Sequence, residues 1–259
     1  MPSTTVADAT VHYQAEGGGP GLVLVHGTQG SGETHWAHLV HAFTDERTVI
    51  RPDLSGSGKT TDGGGELTVE GLADQVAAVA RAAADGPVDV VGFSLGAVVA
   101  AATAALHPGL IRRLVLVAGW PYTGDARQRL MFQLWRDLER QDFALFYRMV
   151  VLCGFSPAFV EAMGEQGIGE AVASGSREPG LDRQIDLDLR VDIRALLPAV
   201  TAPTLVLGLT QDQMVPGWGP SALHEGITGS RYTEIDSGHL VLFERPVALV
   251  DLVRGFILD

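Results

Sequence analysis

The chain has 259 residues, 46% of them hydrophobic, and a mean hydropathy of +0.18, enough apolar material for one large α/β domain or two small ones. Its formal charge of −13 argues against nucleic acid or an anionic membrane as partner and fits simple solubility. With one cysteine, Cys153, no intrachain disulfide is available. Residues 1–5 lack the basic-then-apolar pattern of a secretory signal, and no apolar run reaches the roughly 18 residues of a membrane span, so a soluble cytoplasmic protein is expected.

In chain order, residues 4–15 alternate partially (Val6, Val11, Tyr13) and read as edge strands or a hairpin. A glycine-rich turn at 16–21 leads to a short buried strand, Leu22-Val23-Leu24-Val25. It ends in the loop His26-Gly27-Thr28-Gln29-Gly30-Ser31-Gly32. Such a loop at a strand's C-terminal end can bring backbone N–H groups close to a ligand. Residues 34–43 read as a short helix. It carries His35, His38 and His41, whose i, i+3 spacing does not match the i, i+4 pair that zinc prefers on a helix. No metal and no cofactor are expected. Residues 48–54 form the next strand. Ser55-Gly56-Ser57-Gly58-Lys59-Thr60 resembles a phosphate-binding loop, but the glycine required five residues before Gly58 is Asp53, so no nucleotide site is specified.

Residues 68–84 are an amphipathic helix with Leu72, Val76, Val79 and Ala83 on one face. Next come the β-branched run from Val88 to Val91, then Gly92-Phe93-Ser94-Leu95-Gly96, then an Ala-rich helix to about Leu106. A serine on such a strand-to-helix turn is lifted clear of the sheet, and the glycines on either side relieve crowding. The helix behind it aims N–H groups and positive dipole at the same point, which suits a nucleophile whose reaction builds negative charge. His107-Pro108-Gly109 stops the helix, and residues 113–118 form another buried strand. This strand–helix alternation means a mostly parallel, doubly wound α/β sheet.

The rhythm breaks after Gly119. Residues 120–198 show helical segments at 126–140, 143–153, 157–165 and 169–174, and no convincing strand. Aromatic residues concentrate here, which suits a cap roofing an apolar pocket. Trp120, Trp135, Phe146, Gln29 and Met214 are the candidate pocket residues. Strand and helix resume at 203–209 and 230–236, and residues 240–258 close the chain as a helix near Pro246. The expected organisation is a core of residues 1–119 and 199–259 carrying a helical cap, 120–198.

Ser94, Asp212 and His239 each follow a predicted strand at its C-terminal end, where ligands gather in a parallel sheet. Imidazole has a suitable pKa to take a proton from serine, and a buried carboxylate can fix its tautomer. Asp125 and Asp236 are alternative acids. The order Ser, Asp, His is accompanied by His26-Gly27, Asp53-x-x-Gly56-x-Gly58, Gly92-x-Ser94-x-Gly96, Asp212-x-x-Val215-Pro216 and Gly238-His239. Together they resemble the α/β-hydrolase superfamily over essentially the whole chain. The resemblance implies a serine hydrolase on a small, largely apolar ester, thioester, lactone or related carbonyl compound. The backbone N–H groups of Thr28 and Leu95 would form the oxyanion hole. Two alternatives stay open: a lyase or cyclase of the same fold, or C–C-bond chemistry, and a ligand-binding protein without turnover. The apolar insertion could support a homodimer, but nothing in the sequence requires one.

Overall fold

The computed structural model describes residues 2–258. Met1 and Asp259, the outer ends of the expected core segments, lie outside the described residues. β1 (Ser3–Val6) and β2 (Ala9–Gly17) pair as an antiparallel hairpin, and β2 pairs antiparallel with β4 (Thr48–Pro52). From there every pairing is parallel, through β3 (Gly21–Val25), β5 (Val88–Phe93), β6 (Ile111–Val117), β7 (Thr204–Leu209) and β8 (Arg231–Ile235). The sheet has eight strands in the order β1-β2-β4-β3-β5-β6-β7-β8. This is the mostly parallel, doubly wound architecture that the strand–helix alternation predicts.

All residues of β3, β5 and β7 are buried, because helices cover both faces. Alternate residues serve opposite cores. Val88 and Val90 join one apolar cluster with α2 (Val69–Ala83) and α3 (Leu95–Leu106). Val91 and Phe93 join the other, with Trp36, Leu39 and α10 (Pro246–Leu258). Each fully buried Val, Leu or Phe stabilises the fold by about 1.5–3 kcal/mol.

Several helices differ from the sequence reading. The single helix expected at 34–43 is α1 (Gly32–Trp36) followed by a 3₁₀ segment, Ala37–Ala42; Ser31 caps α1 two residues earlier than expected. Between β6 and β7, α4 (Ala126–Gln141) and α5 (Phe143–Gly154) start at the side-chain caps Asp125 and Asp142, which satisfy otherwise orphaned N–H groups. The two helices expected at 157–165 and 169–174 are merged in α6 (Pro157–Ser174), bent where Gly164 has φ 62°. α7 (Leu181–Asp188) and α8 (Trp218–Gly226) were not expected. The closing helix is divided into α9 (Val241–Glu244) and α10 at Pro246. Among the described residues, no helix is long and apolar enough to cross a membrane.

Candidate active site

Ser94 sits between β5 and α3 with φ 56° and ψ −121°. A non-glycine residue there costs on the order of 1–3 kcal/mol and persists only where its surroundings hold it. They do so by backbone contact. A Cβ on Gly92 would lie 2.2 Å from the Gly96 carbonyl oxygen, and one on Gly96 would lie 2.3 Å from that of Val25. Only glycine permits this close crossing of strand and helix. The Ser94 N–H donates to Val117 O (2.9 Å), anchoring the turn to β6.

The Ser94 hydroxyl lies 3.0 Å from His239 Nε2, and His239 Nδ1 lies 2.7 Å from Asp212 Oδ2. Asp212 Oδ1 accepts the N–H groups of Met214 and Val215, both at 2.8 Å. The carboxylate is thus fixed by its own loop and accepts from Nδ1–H, which leaves Nε2 free to accept from the serine. The His239 and Asp212 side chains are only 4% and 2% exposed. Asp125 is spent as the cap of α4, accepting from Gln128 N, and Asp236 is exposed, accepting from Thr210 and Gln211. Neither is hydrogen-bonded to His239.

The loop after β3 lies against the serine: a Cβ on Gly27 would come within 2.9 Å of the Ser94 Cβ. Among the described residues, neither the Thr28 N–H nor the Leu95 N–H takes part in the loop, turn and cap hydrogen bonds. His26 anchors this loop, with Nδ1 donating to Gly27 O and Nε2 accepting from Leu54 N. Asp53 shapes the neighbouring loop by accepting from Gly32 N and Lys59 N.

Ser94 and His239 open into a cavity of about 300 Å³ that contains four of the five candidate pocket residues: Gln29, Trp135, Phe146 and Met214. Trp120 does not line it. Its ring is 1% exposed, packs on Phe132, and donates from Nε1 to Thr123 Oγ1. It follows a strand end, as expected, but the chain turns it inward beneath α4.

Three polar residues here escape sequence reasoning. Asp188, at the end of α7, accepts from the Thr28 hydroxyl (2.8 Å), and Gln184 on the same helix accepts the Gln29 N–H (3.1 Å). Burial pushes the Asp188 carboxyl well above the usual carboxylate range, against the pull of the Thr28 hydroxyl. His35 lines the cavity and accepts the Gly27 N–H at Nδ1 (3.2 Å). No local signal points to Asp188 and Gln184, since α7 reads as a mixed polar stretch, and His35 reads only as one of three helix histidines. A further tie joins the insertion to the His239 loop: buried Glu244 Oε2 accepts both Ser156 N and Gly238 N.

The family model described as the alpha/beta hydrolase family matches residues 22–252. The chain belongs to that family. It is similar to a pyrrolizixenacetamide deacetylase from Xenorhabdus hominickii, at 44% identity over all of this chain and 98% of that one. It is also 26% identical to the putative carbamate hydrolase RutD of Azorhizobium caulinodans, over 99% and 98% of the two chains. The solved enol-lactonase of Burkholderia xenovorans LB400 superposes over the full length of both chains with a TM-score of 0.86 at 22% identity, a likeness of fold. The family and these relatives make the protein a hydrolase of the alpha/beta hydrolase fold.

Proposed function

We propose that the protein is a serine hydrolase that removes a short acyl group from a small, largely apolar substrate, with an acetamide-type amide or the corresponding ester as the leading class. The observation that carries this reading is the continuous hydrogen-bonded chain from Ser94 through His239 to Asp212 at the edge of a cavity. The amide is favoured by the 44% identical relative, named a deacetylase for an acetamide.

The chemistry follows from the geometry. His239 Nε2 takes the Ser94 proton as Oγ attacks the carbonyl carbon. The developing oxyanion is met by the N–H groups of Thr28 and Leu95 and by the positive end of α3. His239 then returns the proton to the departing amine or alcohol. Water, activated by the same imidazole, cleaves the acyl-enzyme and frees Ser94. Trp135, Phe146 and Met214 bring apolar walls to the cavity, so binding draws on burial of apolar substrate surface. The insertion acts as its cap.

Intact-mass spectrometry after incubation with a fluorophosphonate, beside an assay of acetate release from N-acetyl amides and short-chain esters, tests this. Wild type should gain one adduct and release acetate; Ser94→Ala should do neither. Turnover that survives Ser94→Ala would overturn the covalent mechanism.

A further inference from the structure

On the insertion side the cavity is lined by Trp135, Phe146 and Val150, with Tyr147, Ser174 and Ser176 beside them. On the core side the wall contains an imidazole, that of His35. Its seat is built. The Gly27 N–H donates to Nδ1, and the ring meets Phe93 edge-on with centroids 5.5 Å apart. Gly30 lies across the ring so closely that a Cβ there would sit 2.2 Å from Cε1 and 2.5 Å from Nε2. Only glycine at position 30 lets the loop close on the imidazole.

This seat fixes the tautomer. A ring whose Nδ1 accepts a hydrogen bond carries its proton on Nε2 while it is neutral. Burial, helped by His26, His239 and His38, lowers the His35 pKa to about 3, so the ring is neutral over the working range. Among the described residues nothing accepts a hydrogen bond from Nε2, and that nitrogen is not one of the sealed, unpartnered polar atoms of the interior. The protein therefore holds an oriented N–H donor, without a partner of its own, in the wall of the cavity that contains Ser94. Leaving such a donor unpaired on substrate binding is costly.

We propose that His35 is a specificity residue whose Nε2–H donates to a second oxygen of the substrate, one other than the carbonyl oxygen that Ser94 attack converts to an oxyanion. The substrate class is then an acyl compound with a further acceptor, such as an ether, hydroxyl or second carbonyl oxygen. This rests on the proposed serine hydrolase function.

Two pairs of isosteric esters test it, one for each side of the scissile bond: p-nitrophenyl butyrate against p-nitrophenyl methoxyacetate, and butyl acetate against 2-methoxyethyl acetate. His35→Asn keeps an acceptor at the δ position for Gly27 and deletes the ε donor. His35→Gln restores an ε donor. In at least one pair, the preference of wild type for the oxygen-bearing ester should fall about tenfold in His35→Asn, mainly through KM, and return in His35→Gln. An equal fall in kcat for both members of each pair would place His35 on the attacked carbonyl and overturn the inference. So would an unchanged preference in a folded His35→Asn. If wild type turns over none of the four esters and gains no fluorophosphonate adduct, the serine hydrolase reading fails first and this inference falls with it; an adduct without turnover of any of the four overturns this inference alone.

Discussion

Ser94 and Trp135 border one cavity, yet their positions are fixed by different means. Ser94 is set by backbone against backbone, where α3 meets β5 and the end of β3 so closely that no Cβ is tolerated at Gly92 or Gly96. Trp135 is set by side chains, through edge-on contacts with Phe132 and Phe146 on α4 and α5. The same helix α4 shows Leu130 and Leu134 to solvent at 64% and 43% exposure, and α6 contributes no buried residue at all. Ser94 thus stands on backbone packed too closely to admit a Cβ at either flanking glycine. The opposite wall rests on packing that repacks at modest cost. Under the proposed function, the nucleophile is held rigid and selectivity is left adjustable.

The contrast is tested hardest at Asp212. Asp212→Asn should leave the loop in place while presenting the wrong hydrogen-bonding partner to His239, and should lower kcat on the order of 10⁴-fold with KM little changed. A fall below tenfold, measured by steady-state kinetics, would show that the rigid frame does not act through this carboxylate. Next is Trp135→Ala. Its mark should be on the acyl-chain profile of p-nitrophenyl esters, with longer chains gaining roughly tenfold in kcat/KM relative to acetate. The accompanying cost is about 3–5 kcal/mol of stability, read by urea unfolding. An unchanged profile would mean that the insertion does not select.

A smaller effect separates the two regions by pH. His35 is neutral in the fold, with its pKa lowered to about 3 from 6.5, and burial lowers that of His26 too. Unfolding exposes both rings to protonation. The stability His35 contributes is complete above pH 6.5 and is lost as pH falls from 6.5 toward about 3, at up to about 1.4 kcal/mol per pH unit, and that of His26 is lost in the same direction. His35→Asn should therefore flatten the acid limb of a stability-versus-pH curve, and an unaltered limb would remove this account of acid sensitivity. The smallest effect is expected on the solvent face of α4, where Leu130→Ser should change stability by no more than about 0.5 kcal/mol.

The same division governs what the sequence reveals. Gly92-x-Ser94-x-Gly96 is legible because a backbone crossing demands glycine whatever the rest of the chain does. The strands are legible because residues buried on both faces leave a continuous apolar run, as in Leu22-Val23-Leu24-Val25. Asp212 is legible because it follows such a run, and His239 because Gly238-His239 follows the short strand that residues 230–236 predict. α7 is not. Asp188 and Gln184 face inward to partners far away in sequence, Thr28 and Gln29 some 155–160 residues earlier and, for Gln184, Ser57 as well, and no local periodicity records partners so distant. Trp120 fails for a related reason: its place after a strand is readable, but its inward turn depends on Thr123 and Phe132. His35 reads as one of three helix histidines, and only the fold separates it from His38, which stacks on Phe243.

Exchanging insertions between relatives is a direct route to new selectivity, and Glu244 dictates where such recombination can cut. Its carboxylate holds Ser156 N–H and Gly238 N–H together, and Leu240 N–H donates to Gly154 O beside it. The corner at 154–156 therefore travels with the loop that bears His239. Swapping residues 120–198 whole would break this seam and strand a buried carboxylate. A graft limited to residues 157–174 leaves the seam closed and replaces α6 alone, the helix of the insertion that contributes no buried residue.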